Sequence, residues 1–183
     1  MTGDALMPSL FSPRMVFKSA AHISPEFLHA RGIRALMLDL DGTLCPSHSD
    51  AVPDWVAPWL SRMKEAGISL FMLSNNRRPG RVADFCAAYG IPAYLTRAGK
   101  PKRAGFREAL RLLSLPASAC ALVGDQIYTD VLGANRMGIQ SIFVYSMDYH
   151  IWYYRLRHLL ELPFLPASGR QENETQKPER GPF

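Results

Sequence analysis

Apolar residues gather along this chain in two alternating patterns. Short apolar runs at 35–38 and 120–123, and largely apolar stretches at 68–73 (broken by Ser69) and 139–145 (broken by Gln140 and Ser141), end at polar residues, and a weaker run covers 92–95. Runs of that length suit strands buried on both faces, as in a parallel sheet covered by helices. Between them the apolar positions recur at helical spacing. Residues 53–67 place Val56, Trp59, Leu60 and Met63 on one face, and residues 80–89 do the same with Val82, Phe85, Cys86 and Tyr89. A helix opening at Pro101 carries Phe106, Leu110 and Leu113, and another is expected over 130–137. Ser24 and Pro25 read as the cap and first turn of a short helix over 25–31, with Gly32 as its stop. Pro58 lies inside the 53–67 pattern, so that helix has an irregular first turn or a later start. Strands alternating with helices predict an α/β domain: a Rossmann-like, mostly parallel sheet with helices on both faces.

The domain is expected over 24–148. Residues 1–23 read as an irregular segment, and the polar tail 167–183 as disordered. Residues 149–166 read as an amphipathic helix, with Ile151, Trp152, Leu156, Leu159 and Leu160 on one face and Arg155, Arg157 and His158 among them. Two readings stand for it: a helix packed on the sheet, or an anchor at a membrane surface.

Composition narrows the function classes. The chain has 183 residues, of which 48% are hydrophobic and 20% charged, enough for one domain with a core. Net charge is +5, and the tail carries as many acids as bases, so the excess lies on the rest of the chain. That favours an anionic substrate or surface. Nothing in the chain reads as a nucleic-acid-binding module, and oligomeric state is not legible. Cys45, Cys86 and Cys120 lack C-x-x-C spacing and read as reduced thiols of a cytoplasmic protein, peripheral at the inner membrane face if the anchor reading holds. No apolar run approaches the roughly 20 residues of a transmembrane helix. Pro8, Pro13, Arg14 and Lys18 interrupt the N-terminus, which therefore does not read as a signal peptide.

The chemistry gathers at strand ends. Asp39 and Asp41 close the 35–38 run, two residues apart, and Gly42 allows a sharp turn after them. Two carboxylates so close repel unless a divalent cation and a lysine hold them. An EF-hand also contains D-x-D-G, but with Gly42 in sixth place Met37 and His48 would stand at the first and last ligand positions, which excludes it. Ser74 closes the next strand, Asp125 follows Gly124 after the fourth, and Lys100 sits before a helix. Singly, each is more often a turn, cap or surface residue. Together they fit phosphoryl transfer through a covalent aspartyl phosphate. Asp39 is the expected nucleophile, Asp41 the general acid and base, and Ser74 a phosphoryl ligand. Lys100 neutralises charge, and Asp130 stands behind, orienting Lys100 or a metal-bound water. Mg²⁺ is expected on Asp39, Asp125 and the backbone carbonyl of Asp41. Arg77, Arg78 and Arg81 either meet a second anionic group or form a solvated helix face.

The stretches DLDGTL at 39–44, SNN at 74–76, GKP at 99–101 and GDQIYTD at 124–130 resemble, in order, the four motifs of the haloacid dehalogenase (HAD) superfamily. SNNRRPGRV, AGKP and GDQIYTDVLGANRMG further resemble the YqeG family of subclass IIIA phosphatases, related to the phosphatidylglycerophosphate phosphatases of mitochondria and plastids. That family usually reads DNT where this chain has Asp41, Gly42 and Thr43. The resemblance implies an HAD-like fold with the Asp39 strand central. It also implies a Mg²⁺-dependent phosphomonoester hydrolase, with phosphatidylglycerophosphate as the expected substrate. Asn75, Arg77 and Arg81 join Ser74 as expected substrate-binding residues, and Thr43 joins Asp130 one layer out. Superfamily members with cap domains insert them between Asp41 and Ser74 or between Ser74 and Lys100. Neither interval has room here, so the site should lie open. The alternatives are a soluble phosphomonoester or phosphoprotein as substrate, and a non-catalytic binding module on the same fold.

Overall fold

A computed structural model describes residues 10–148, 156 and 159–165. Six strands form one wholly parallel sheet: β1 (Met15–Phe17), β2 (Ala35–Leu38), β3 (Ser69–Leu73), β4 (Tyr94–Leu95), β5 (Cys120–Gly124) and β6 (Gln140–Val144). Their order across the sheet is β1-β6-β5-β2-β3-β4, so β2, which leads into Asp39, is central. The helices are α1 (Pro25–Ala30), α2 (Val56–Glu65), α3 (Pro79–Tyr89), α4 (Arg103–Leu113) and α5 (Leu132–Arg136).

Alternation along each strand splits the core in two. Leu36 and Leu38 of β2, Leu70 and Met72 of β3, and Ala121 and Val123 of β5 face α1, α2 and α3. Ala35 and Met37, Phe71 and Leu73, and Cys120 and Leu122 face α4 and α5 on the other side. This is why the central strands read as largely apolar runs: both faces are buried. Trp59 of α2 adds one polar tie, its indole N–H donating to the Ile23 carbonyl at 2.9 Å. The three cysteines are buried and free.

The structure departs from the sequence reading in two places, at residues 15–17 and at 127–131. Residues 15–17, expected to be irregular, form β1 and pair with β6 from Met15↔Ile142 to Phe17↔Val144. Three residues at a sheet edge are too few to show a period. The helix expected over 53–67 takes the later of the two starts that Pro58 allowed: it begins at Val56, with Pro58 in the first turn, where its missing N–H costs little. The helix expected over 130–137 is a π-type turn, Ile127–Val131, running into the short α5. Of the expected C-terminal helix, residues 149–155, 157, 158 and 166 lie outside the described residues, as does the tail 167–183. Residues 159–161 are helical and continue into a 3-10 turn, Leu162–Phe164.

Candidate active site

The carboxyl ends of β2, β3 and β5 meet above the sheet, where an open parallel fold gathers ligands. Asp39 follows β2 directly and donates its N–H to Val123 O at 3.0 Å, which fixes its start point. Gly42 then turns the chain with φ +83. A Cβ there would stand 2.5 Å from Asp125 Oδ2 and 2.7 Å from Ser146 Oγ, so only glycine lets the strand ends close on one another.

Three buried carboxylates meet at the centre. Asp39, Asp125 and Asp130 are 5%, 0% and 1% exposed, and each offers an oxygen within 4.8 Å of the others'. Lys100 lies between two of them, its Nζ 2.7 Å from Asp39 Oδ1 and 2.6 Å from Asp130 Oδ1. Burial first, then the charges of Asp130 and Asp125, push the Asp39 carboxyl up to about 8 against the opposing pull of Lys100. Burial alone would lower the Lys100 ammonium, but Asp130 and Asp39 outweigh it and hold the group above its ordinary value. Three carboxylates against one ammonium leave an excess of negative charge in a place that water hardly reaches. A divalent cation fits that excess, and the oxygen donors are those Mg²⁺ prefers.

Asp130 arrives by the π-type turn. Its N–H and that of Val131 both donate to Gln126 O, at 3.0 and 3.2 Å, and Asp130 Oδ2 accepts from the Gln126 N–H at 3.2 Å. The carboxylate then lies over Gly124, where a Cβ would stand 2.5 Å from Asp130 Cγ. Ser74, 1% exposed, ends β3 and accepts from the Asn76 N–H at 3.0 Å, which leaves its hydroxyl proton to donate. Thr43 is buried beside the Asp41 turn, and its Oγ1 has no hydrogen-bond partner among the described residues.

Asp41 is held from two sides. Arg81 Nε donates to Oδ1 at 2.9 Å and Asn76 Nδ2 to Oδ2 at 2.6 Å. Arg81 also donates to Pro46 O at 2.7 Å and Ser49 O at 2.9 Å, and pairs with Asp50. Asn75 is turned elsewhere: its amide accepts from Lys100 N–H at 2.8 Å and donates to Lys100 O at 3.0 Å, bracing the lysine backbone. The expected substrate ligands therefore divide. Ser74, Asn75 and Arg77 line the open pocket, but the Asn75 amide is bonded to the Lys100 backbone, and Arg81 lies outside that lining, engaged with Asp41.

That pocket, about 360 Å³, is also lined by Arg78, one of the three arginines weighed as an anion contact, and by Ser47, His48 and Gln126, which the sequence reading did not assign. Asn76 was part of a quoted motif but had no role; only its reach to Asp41 gives it one. The loop after β6 supports the same turn. Met147 N–H donates to Gly42 O at 3.0 Å, and buried Asp148 accepts from Ser47 N–H at 3.0 Å and from the Ser47 hydroxyl. Nothing in the local pattern ties residues a hundred positions apart.

A family profile described as HAD-hydrolase-like matches residues 97–149. The probable phosphatase YqeG of Bacillus subtilis is 36% identical over 139 residues, covering 76% of this chain and 80% of that protein. The mitochondrial phosphatidylglycerophosphatase of Saccharomyces cerevisiae is 28% identical over 149 residues, covering 75% and 79%. Among solved structures, the 3-deoxy-D-manno-octulosonate 8-phosphate phosphatase of Moraxella catarrhalis, in complex with magnesium, phosphate and KDO, aligns with a TM-score of 0.50. It is 18% identical, covers 76% of this chain and 94% of its own, and is similar in fold.

Proposed function

The chain belongs to the HAD-type phosphatases, in the family of YqeG, and from that premise we propose that it hydrolyses the terminal phosphomonoester of phosphatidylglycerophosphate through an aspartyl phosphate on Asp39. The observation that carries the reading is one arrangement: Asp39 paired with Lys100 in a buried carboxylate cluster, with Asp41 held beside it at the open edge of the sheet.

Each group has a defined task. Asp39 attacks phosphorus, and the bond from phosphorus to the ester oxygen breaks. Asp41 delivers a proton to that leaving oxygen. In the second half Asp41 takes a proton from water, whose oxygen attacks the phosphoryl group and releases Asp39 as carboxylate. Ser74 donates to a phosphoryl oxygen, and Lys100 offsets the charge that gathers there. Asp130 holds Lys100 in place from behind. Asp39, Asp125 and the Asp41 carbonyl would hold Mg²⁺, which supplies charge neutralisation that lets a carboxylate approach a phosphate. The open pocket supports a substrate whose phosphate projects from a larger body, and the similarity to the yeast phosphatidylglycerophosphatase supports the lipid.

The test is phosphate release from phosphatidylglycerophosphate in mixed micelles, with Mg²⁺ and then with chelator. Asp39→Asn should lower turnover by more than about 10³-fold, because an amide is a poor nucleophile. Full activity in that variant would end the aspartyl-phosphate reading. Much faster turnover of soluble phosphomonoesters at matched concentration would end the lipid reading.

A further inference from the structure

A second cavity, about 830 Å³, lies beside the phosphate pocket, between α3 and the loop at residues 45–52. Its floor is apolar: Leu40, Val52, Phe85, Ala88 and Tyr89 line it. Leu40 and Phe85 are 1% and 7% exposed, and the Phe85 and Tyr89 rings lie 4.6 Å apart, so the floor is packed. Arg77 and Arg78 line both this cavity and the phosphate pocket, which makes the two continuous through a pair of exposed arginines. Arg81, which could have closed the passage, is drawn onto Asp41, Asp50 and two backbone carbonyls.

We propose that this groove is an acyl-chain subsite, and that Arg77 and Arg78 hold a diester phosphate between it and the catalytic pocket. The proposal rests on the lipid reading above and deepens it. Its argument is order. Along a phosphorylated glycerophospholipid come a terminal monoester, a diester phosphate one glycerol away, and then acyl chains. Along the protein come an acidic pocket with Lys100, two arginines, and an apolar groove. A soluble sugar or nucleotide phosphate has no apolar end to place there. Asp50 and Asp84 also line the groove; Asp50 is paired to Arg81, and Asp84 is exposed on α3. The apolar floor is left to the ligand.

The experiment compares phosphatidylglycerophosphates with acyl chains of four, six and eight carbons, all below their micelle concentrations, with a simple alkyl monophosphate as reference. For the native chain, kcat/KM should rise about two- to fourfold for each methylene that enters the groove. Ala88→Trp fills the groove from an exposed helix position, where added bulk leaves the core intact. It should flatten the chain-length series. The pair Arg77→Ala and Arg78→Ala should lower the ratio of lipid to alkyl monophosphate turnover about tenfold, since two charge-assisted contacts are lost. A flat series in the native chain overturns the groove alone, whether another segment of this chain covers it or the acyl chains stay in solvent. An unchanged slope in Ala88→Trp does the same. An unmoved ratio in the arginine variant overturns the diester site. Turnover of the alkyl monophosphate with none of any lipid overturns both this inference and the lipid reading.

Discussion

Arg81 stands where a sequence reading puts a substrate ligand, yet its guanidinium is occupied by Asp41, Asp50 and two carbonyls. It aims the carboxylate proposed as general acid and ties it to the 45–52 loop. A residue acting through the acid should matter most when the leaving group needs a proton. Arg81→Ala is therefore expected to slow alkyl phosphates by about 10²-fold, and p-nitrophenyl phosphate, whose leaving group is stable as an anion, by less than about fivefold. Steady-state rates across a series of leaving groups check this, with Asp41→Asn as the reference pattern; an equal loss on every substrate would mean that Arg81 serves only the fold. Asp125 makes a different case. It is fully buried, and its charge adds to the burial that pushes Asp39 up. Asp125→Asn removes one of three crowded charges, so the metal-free protein should melt higher, by about 2–4 °C for a gain near 1 kcal/mol. The same variant should lose the upward shift in melting temperature that Mg²⁺ gives the native chain. Thermal scans with chelator and with excess Mg²⁺ measure both, and an intact Mg²⁺ shift would remove Asp125 from the metal site. The positions of Asp39, Asp41, Ser74, Lys100 and Asp125 were legible because each closes a strand or opens a helix at the same edge. The reach of Asn76, Arg81 and Asp148 was not, because those contacts depend on loop conformations that no periodicity encodes.

At the level of elements, the sheet was readable where burial is symmetric. β2, β3, β5 and β6 are apolar on both faces, and their runs say so directly. β1 was hidden by its three-residue length, and α5 was overextended because apolar spacing cannot separate a π-type turn from an α-helix. That turn has a structural consequence: the wide first loop carries Asp130 back over Gly124 toward Lys100. The junction of β5 with the turn is thus set by the absence of one side chain. Gly124→Ala would place a methyl 2.5 Å from Asp130 Cγ, where something must move. The expected cost is about 1–3 kcal/mol in denaturant unfolding, together with a fall in kcat as Asp130 releases Lys100. A variant with native stability and native kcat would show that the turn shifts without disturbing the lysine, and would refute the positioning role of Asp130.

At the scale of the whole molecule, a positive net charge and a set of exposed leucines each suit an anionic lipid surface. The chain carries a net charge of +5. Near its described C-terminal end, Leu156, Leu159, Leu160 and Leu162 are 47–60% exposed. Glu161, between them, is fully buried and accepts from the Ile127 N–H at 2.9 Å, and the Tyr128 hydroxyl donates to Leu160 O at 2.9 Å. Those two bonds pin the leucine-bearing segment to the turn that follows Gln126, a residue of the phosphate pocket. The exposed leucines are therefore held at the carboxyl edge of the sheet, the edge on which the proposed site opens. No helix among the described residues is long or apolar enough to cross a membrane. Each leucine entering a bilayer interface contributes about 1 kcal/mol or more, and each Lys or Arg near anionic lipid contributes roughly 1 kcal/mol. The expected result is flotation with vesicles containing phosphatidylglycerol, weakened as salt rises, and much weaker flotation with neutral vesicles. Leu159→Glu with Leu160→Glu should reduce vesicle binding by at least about tenfold while turnover of a soluble aryl phosphate persists, because both side chains point away from the core. Equal flotation of the variant and native chains would place membrane contact elsewhere on the molecule. Failure of the native chain to float at low salt would mean that the lipid must come to this enzyme as a monomer or in the grip of another protein.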